Sequence, residues 1–218
     1  TGELSRDELL RQAAQIEGVY VPSLYTVSYH DDGTVRGFEA HHGAPERVKK
    51  RIITDFDQVW FPEQMLVPNL ETVHDRAYLE LFRGCPRGCR FCQAGMVYRP
   101  VREKSPGTLV RQAERLTANT GYDELGLLSL STSDYSELAE LTDRLLGCFE
   151  GQHVSFSLPS LRLDNFSLDL LERVNETRKS SLTFAPEAGT QRLRDVINKG
   201  ITEDDIYSSM ELAFRQGY

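Results

Sequence analysis

Three cysteines stand close together in one short stretch of the chain, in the pattern Cys85-x3-Cys89-x2-Cys92. Iron–sulfur clusters are held by cysteine thiolates, and a cubane cluster ordinarily takes four of them. This stretch supplies three. The spacing therefore predicts a metal centre that keeps one coordination position open for a ligand from outside the chain.

Two other interpretations of these cysteines are a structural zinc site and a ferredoxin-type cluster. A zinc site needs four ligands, and His74, the nearest histidine, completes no paired Cys or His motif. A ferredoxin-type cluster uses a fourth cysteine at a set spacing. The remaining cysteine, Cys148, follows Leu145 and Leu146 and is expected to be a small buried apolar residue. The spacing favours the open cluster over both alternatives.

The composition is that of a globular protein, with 218 residues of which 39% are hydrophobic and 27% charged. No apolar run approaches the roughly 18–20 residues that span a bilayer, and no signal-peptide pattern opens the chain. Four cysteines, three of them clustered, indicate a reduced, cytoplasmic protein and not a disulfide framework. Because the chain opens on Thr1 and stops at Tyr218, where a further strand is expected, we expect a fragment.

The charge of the chain is unevenly distributed. The net charge of −8 argues against a nucleic-acid binder that uses its whole surface. Residues 83–104, however, carry six cations against the single acid Glu103. These cations are Arg83, Arg87, Arg90, Arg99, Arg102 and Lys104. Arginine suits carboxylates and phosphates, so we expect this segment to compensate an anionic cluster and to capture an anionic ligand, although a solvated charged loop has the same composition.

The first 76 residues are predicted to form an N-terminal extension. Apolar residues at helical spacing follow Ser5 and predict a helix to about Gln15. Residues 19–30 and 34–40 are rich in β-branched and aromatic side chains and flank the turn sequence Asp31-Asp32-Gly33, which predicts a β-hairpin.

From residue 77 onward, short apolar strands alternate with amphipathic helices. The predicted strands are 77–82, 124–130, 153–158 and 181–184. The predicted helices lie around 109–116, 138–146, 168–174, 191–198 and 202–215, the last behind a capping-box-like Thr202-x2-Asp205. This alternation predicts an α/β fold with parallel strands, in which about four β/α units over residues 77–218 make a partial (β/α) barrel or an open sheet. The cysteines follow the first strand, at the edge where active sites of such folds lie.

Cys-x3-Cys-x2-Cys directly after the first strand, with the aromatic Phe91 before the last cysteine, resembles the radical S-adenosylmethionine (SAM) superfamily. The resemblance implies a TIM barrel-like iron–sulfur oxidoreductase or transferase in which Cys85, Cys89 and Cys92 hold a [4Fe-4S] cluster. SAM then chelates the open iron and is reductively cleaved to a 5′-deoxyadenosyl radical, which acts on an unknown substrate. It also implies an electron donor such as flavodoxin or ferredoxin, and no membrane partner.

The longer string over residues 83–107 is similar to uncharacterised radical SAM proteins that carry a B12-binding-like domain ahead of the radical domain. This similarity implies cobalamin only through an upstream domain that is missing from the chain. It also implies that the remaining barrel strands lie downstream of Tyr218.

The resemblance further implies SAM-binding positions, which are Phe91, Ser131, Ser133, Ser160, Arg162 and Glu187. Phe91 is expected to contact the adenine. Residues 131–134 occupy the place where the family often has Gly-Gly-Glu, so hydroxyls or backbone carbonyls must substitute in binding the methionine amino group. Arg162 is expected to pair with the SAM carboxylate, and Glu187, placed at a helix start, with the ribose or the amino group. A helix N-cap, a surface cation and a helix-dipole charge are the respective structural alternatives.

Two other functions compete with the SAM-cleaving enzyme. One is a cluster-binding scaffold or interaction domain without SAM cleavage, and the altered Gly-Gly-Glu region supports it. The other is an RNA or protein methylthiotransferase, because those enzymes share this order of strand and loop. No separate RNA-binding module stands out in the sequence, so a nucleic-acid partner is left open.

Overall fold

The computed structural model describes residues 4–70, 72–159, 161–165 and 182–218. The chain divides into two compact units, Thr1–Thr54 and Asp55–Tyr218. This division falls ahead of residue 77 because Phe56 is buried in the second unit and the Ser105 N–H donates to Asp57 Oδ1 at 2.8 Å. The domain boundary between residues 76 and 77 stays a prediction.

The first unit contains the expected helix and hairpin. Helix α1 (Arg6–Ala13) begins with a capping box, in which Ser5 and Glu8 each bind the other's backbone N–H. Strands β1 (Tyr25–Tyr29) and β2 (Val35–Ala40) pair antiparallel. Tyr25, the first residue of β1, packs in a small core with three buried residues that precede it in the chain, which are Ala14, Val21 and Leu24.

The described part of the second unit contains a parallel sheet and a short antiparallel pair of strands. The strands are β3 (Ala77–Glu80), β4 (Phe82–Arg83), β5 (Arg102–Glu103), β6 (Glu124–Leu128) and β7 (Ser155–Ser157). Strands β3, β6 and β7 form a parallel sheet in the order β3-β6-β7, whereas β4 and β5 form a separate antiparallel pair. Parallel strands joined through helices confirm the α/β class.

The helices of this unit are α2 (Ala94–Val97), α3 (Pro106–Thr120), α4 (Leu138–Cys148), α5 (Gln191–Val196) and α6 (Glu203–Arg215). Ser105 caps α3 through the Thr108 N–H, and Gly121 ends it in the left-handed region at φ 73°. Helix α6 begins with the predicted capping box of Thr202 and Asp205. Among the described residues, no helix combines the length and apolar character that a bilayer span requires.

Helices α3 and α4 share one hydrophobic core with the parallel sheet. Leu79 and Leu125 of the sheet are fully buried in this core together with Leu109 of α3 and Leu141 of α4. Burying each leucine stabilises the fold by about 1.5–3 kcal/mol before entropy is counted. Packing against α3 and α4 therefore fixes one face of the sheet, and with it the positions of the carboxyl ends of the strands.

The predicted fourth strand is wrong over its described part. Residues 182–187 have no regular secondary structure, although Leu182 and Phe184 are half-buried and alternate with the exposed Thr183. The apolar residues of this short segment produced the prediction, but a strand is defined by the pairing of its backbone and not by its side chains. Ser181 and the predicted helix over 168–174 lie outside the described residues.

Candidate active site

The first parallel strand ends where the chain changes its hydrogen-bonding partner. The Leu81 N–H donates to the carbonyl of Leu128 at 3.0 Å, but the Leu81 carbonyl accepts from the Lys104 N–H at 2.9 Å. Strand β4 then pairs with β5, so residues 84–101 leave the sheet as one excursion whose two ends are held together. We call residues 84–93, which contain the three cysteines, the cysteine loop.

Gly84 is required where the loop begins. Its φ is +94°, and a Cβ there would lie 2.7 Å from the Pro100 carbonyl oxygen and 2.9 Å from that of Tyr98. Both the backbone conformation and the lack of space exclude a side chain. The loop can therefore return close to its starting point and expose Cys85 immediately after the turn.

All three loop cysteines are free thiols of intermediate exposure. The Cys92 N–H donates to the Cys89 carbonyl at 3.1 Å, and the Gly95 N–H donates to Cys92 Sγ at 3.4 Å. A donor aimed at sulfur stabilises a thiolate and tunes a cluster. Among the described residues, no three His, Cys, Asp or Glu side chains are arranged to hold a single metal ion. The chemistry of the donor set nevertheless fits an iron–sulfur cluster, since three thiols lie on one loop beside this N–H donor and several cations.

The residues that follow α5 hold the loop from the other side. The Arg90 N–H donates to the Ile197 carbonyl at 2.9 Å, and Asn198 Nδ2 donates to the Gly88 carbonyl at 2.8 Å. The Arg90 guanidinium also binds the carbonyl of Val196. These contacts bind the loop on both sides of Cys89.

Arg87 joins the loop to two carboxylates. Its Nε donates to Asp134 Oδ2 at 2.8 Å with a second bond from Nη2 to Oδ1, and its Nη1 donates to Asp164 Oδ2 at 3.1 Å. Arg162 binds the same Asp164 through Nε at 2.9 Å and Nη2 at 3.0 Å, and Nη2 also reaches the Lys199 carbonyl at 2.8 Å. We call Arg87, Asp134, Arg162 and Asp164 the ion-pair network. It lies beneath the cysteine loop and ties it to the segments that follow β6 and β7.

The network sets the protonation of its members. Burial by itself would raise the pKa of Asp134, but the hydrogen bonds from Arg87 and Ser131 outweigh it and lower that pKa. The hydrogen bond to Asp134 is the main cause of a raised pKa at Arg87, and the charges of Asp134 and Asp164 add to it. Both side chains are therefore ionised at neutral pH.

Most of the predicted SAM-binding side chains are bound to other parts of the protein. Ser131 Oγ donates to Asp134 Oδ2 at 2.6 Å, and Ser133 Oγ accepts from the Arg162 N–H at 3.2 Å. Arg162 itself is buried, with 8% of its surface exposed, so the surface-cation interpretation is wrong. Ser160 lies outside the described residues.

Phe91 and Glu187 meet at a shared lysine. Lys199 Nζ lies 5.9 Å from the centre of the Phe91 ring and binds Glu187 Oε1 at 3.1 Å. The Phe91 ring is 53% exposed. Glu187 does not start a helix as expected, because α5 begins only at Gln191 behind the cap Thr190. The helix-dipole interpretation of Glu187 therefore fails, and its charge is compensated by Lys199.

A cleft of about 320 Å³ opens between the start of the cysteine loop and the carboxyl ends of β3 and β6. It is lined by Glu80, Phe82, Arg83, Gly84, Tyr98, Leu128, Ser129 and Leu130. Arg83 donates to both oxygens of Glu80, through Nε at 2.6 Å and Nη2 at 2.9 Å. The cleft thus offers an ion pair, an aromatic ring and leucines next to Cys85, a mixture that suits a ligand with polar and apolar parts.

Sequence reasoning missed this lining, and it named Arg87, Asp134 and Arg162 without their pairing or their partner Asp164. A signal was present for Glu80, because it alternates with the buried Leu79 and Leu81 and therefore lies on the sheet face away from the core. Asp164 carried no such signal, since its role depends on Arg87, which is 77 residues away along the chain.

The comparison with known families decides the assignment. A model of the radical SAM superfamily matches residues 79–218, which span the parallel sheet, the cysteine loop and the cleft. The chain belongs to the radical SAM superfamily.

Relatives of this chain are also found among curated proteins. An uncharacterised protein of Methanocaldococcus jannaschii is 39% identical over 139 residues, which are 64% of this chain and 30% of that protein. A tRNA-2-methylthio-N(6)-dimethylallyladenosine synthase of Staphylococcus epidermidis is 25% identical over 181 residues, which are 79% of this chain and 31% of the synthase. The radical SAM chain thus spans about a third of the length of these relatives.

The fold also resembles a solved radical SAM structure. This is the cobalamin-dependent S-adenosylmethionine radical enzyme OxsB with aqua-cobalamin and S-adenosylmethionine bound, with a TM-score of 0.55. The similarity covers 85% of this chain and 27% of that one, at 12% sequence identity. At this identity the similarity concerns the fold alone.

Proposed function

We propose that this chain is the part of a radical SAM enzyme that holds a [4Fe-4S] cluster through Cys85, Cys89 and Cys92 and binds SAM beside it. The observation that carries the proposal is the position of the cysteine loop, which begins after the first parallel strand at Gly84, a residue that lines the 320 Å³ cleft. When bound, such a cluster supplies the electron that cleaves SAM to a 5′-deoxyadenosyl radical.

The chain's own residues position and shield this chemistry. The three thiolates would hold the cluster, and the Gly95 N–H, which donates to Cys92 Sγ, would stabilise the negative charge on that sulfur. Arg87 holds the loop against Asp134 and Asp164 and brings a positive charge near Cys85. The apolar side of the cleft excludes water from the reacting atoms.

The proposal gives SAM-binding roles to six residues, which are Phe91, Ser131, Ser133, Ser160, Arg162 and Glu187. The exposed ring of Phe91 is suited to stacking on adenine. Ser131, Ser133 and Arg162 already serve the ion-pair network, so SAM binding there requires an exchange of partners or contact through their backbone. Arg83 and Glu80, which line the cleft, join the candidates for the SAM carboxylate and amino groups.

Partners and a reduced setting follow from the same chemistry. A donor such as flavodoxin or ferredoxin would supply the electron, and the free thiols of the cysteine loop would need a reducing compartment such as the cytoplasm. The proposal includes a partial (β/α) barrel as the fold of residues 77–218. It also includes cobalamin, which a region outside this chain would bind.

A second candidate function is methylthio transfer to RNA or protein. The 25% identity to the tRNA-modifying synthase over 79% of this chain favours it. In this case the same cysteine loop and cleft cleave SAM, and a region outside this chain selects the substrate.

Anaerobic reconstitution with iron and sulfide tests the proposal. We expect about four irons per chain, an EPR signal after reduction by dithionite, and SAM-dependent release of 5′-deoxyadenosine. The Cys89→Ala variant should lose all three, whereas Cys148→Ala, which removes a thiol outside the loop, should keep them. A complete cluster that leaves SAM intact would refute the enzyme and favour the cluster-binding scaffold.

A further inference from the structure

The first unit presents two partly exposed aromatic rings on its hairpin. The rings of Tyr20 and Phe38 both lie against Tyr25, with centroids 4.9 Å and 4.8 Å from that of Tyr25. Tyr25 is buried, but Tyr20 is 45% and Phe38 49% exposed. We call these three residues the aromatic platform. The inner ring contacts both outer rings, and the outer rings also stack on each other with centroids 6.0 Å apart, so packing restrains both side chains while each stays partly exposed.

A run of positive charge lies beside the platform. Residues 46–51 read Glu-Arg-Val-Lys-Lys-Arg and carry four cations against one acid, a net charge of +3 in a chain whose total is −8. The cations Arg47, Lys49, Lys50 and Arg51 are all exposed. We call residues 46–51 the basic run. It is a local feature, because the charge of the whole chain has the opposite sign.

Three contacts place the basic run against the hairpin. The Tyr25 hydroxyl donates to the Pro45 carbonyl at 2.9 Å, directly ahead of the run. Val48 packs on the core that contains Tyr25. A Cβ on Gly18 would lie 3.2 Å from Arg51 Cβ, which puts the end of the run against the segment that leads into Tyr20. The basic run therefore packs on the same small core as the aromatic platform, and its exposed cations and the exposed rings lie on the surface around that core.

We propose that this surface binds a single nucleic-acid strand, with bases stacked on Tyr20 and Phe38 and phosphates bound by the basic run. Aromatic rings beside a line of cations are what an unpaired strand requires, because every base has a π-face and every phosphate a charge. A duplex hides its base faces, and an acidic peptide would use the cations without the rings. The proposal is independent of the cluster chemistry, because it concerns the other unit of the chain.

Fluorescence anisotropy with the whole chain, free of cluster and SAM, tests this proposal. The probes are a labelled mixed-sequence RNA strand of about 12 nucleotides, the DNA strand of the same sequence, and the RNA duplex. The single strands should bind more tightly than the duplex. Equal affinity for RNA and DNA assigns recognition to bases and phosphates alone, and tighter binding of RNA adds the 2′-hydroxyls; both results support the proposal.

Two variants separate the rings from the charges. Phe38→Leu keeps an apolar side chain on Tyr25 but has no π-face, and it should weaken binding about 5- to 150-fold, whereas Phe38→Tyr should bind like the wild type. The double variant Arg47→Gln/Lys49→Gln removes two cations and should reduce the salt slope, d log K/d log[salt], by about 1.4, which is about 25-fold in affinity at about 0.1 M salt.

The charge-matched control is Arg144→Gln/Arg215→Gln, which removes two exposed arginines from the second unit. Its salt slope should equal that of the wild type. Circular dichroism and thermal unfolding confirm that each variant remains folded. The proposal is overturned if Phe38→Leu binds as tightly as the wild type, if the duplex competes equally, or if the control lowers the slope as much as the basic-run variant does.

Discussion

Replacing Arg87 with glutamine should destabilise the second unit through the carboxylates that it leaves behind. The Asp134 side chain is 7% exposed and that of Arg87 33%. Removing one partner of a fully buried ion pair costs about 3–5 kcal/mol. Here the arginine is partly hydrated and Ser131 still binds Asp134, so we expect about 2 kcal/mol. That loss lowers the unfolding midpoint by about 4–8 °C.

A double-mutant cycle checks the reason for this loss. Arg87→Gln, Asp134→Asn and the double variant are unfolded in urea and followed by far-UV circular dichroism. Because glutamine and asparagine leave no buried charge, the double variant should be less destabilised than the sum of the single variants, with a coupling of about 1–2 kcal/mol. Additivity within about 0.5 kcal/mol would refute the ion-pair interpretation.

The same pair predicts a pH dependence of stability. The folded state lowers the pKa of Asp134, so its contribution is complete above the unfolded value of about 3.9 and is lost as the pH falls through the folded value. The difference in unfolding free energy between wild type and Arg87→Gln should therefore be constant near neutral pH and shrink below about pH 4. Arg144→Gln, which breaks the exposed pair with Glu140, should cost less than about 0.5 kcal/mol throughout.

Three further predictions concern single positions. Gly84→Ala should lower the free energy of unfolding in urea by more than about 2 kcal/mol and abolish iron uptake. The control Gly33→Ala, at φ 82° with open space around it, should lower that free energy by about 1 kcal/mol and leave iron uptake intact. Asn198→Gly tolerates the positive φ but removes the amide that holds the cysteine loop, so iodoacetamide should alkylate the loop thiols about fivefold faster; unchanged rates would show that this bond does not restrain the loop. Burial, with a hydrogen bond to Glu114, raises the pKa of Cys148 to about 11, so its alkylation rate should rise about tenfold per pH unit through pH 9, and a plateau near pH 9 would contradict the assignment.

The features that were predicted correctly are encoded locally. The helix start after Ser5 and the capping box at Thr202 depend on residues within one turn, and the hairpin depends on a turn between two runs of β-formers. Each of these signals lies within one window of sequence, where propensity and periodicity apply.

The features that were missed depend on distant partners. Arg162 was given the alternative of a surface cation, yet it is buried, where it donates to the Lys199 carbonyl 37 residues away and to Asp164, which Arg87 binds from 77 residues away. Leu182 and Phe184 have the alternating burial of a strand, although residues 182–187 have no regular secondary structure. Local periodicity does not identify which residue will form an ion pair with another, or which segment of backbone will pair with a strand.

The bond between Asn198 and the Gly88 carbonyl has a consequence for biosynthesis. Its two residues are 110 positions apart. At about 5–20 residues per second, a ribosome needs roughly 5–20 s to travel that distance. During this interval the three cysteines have been synthesised, but Asn198, which anchors their loop, has not. The thiols of the nascent chain are therefore most accessible to a cluster carrier at this stage.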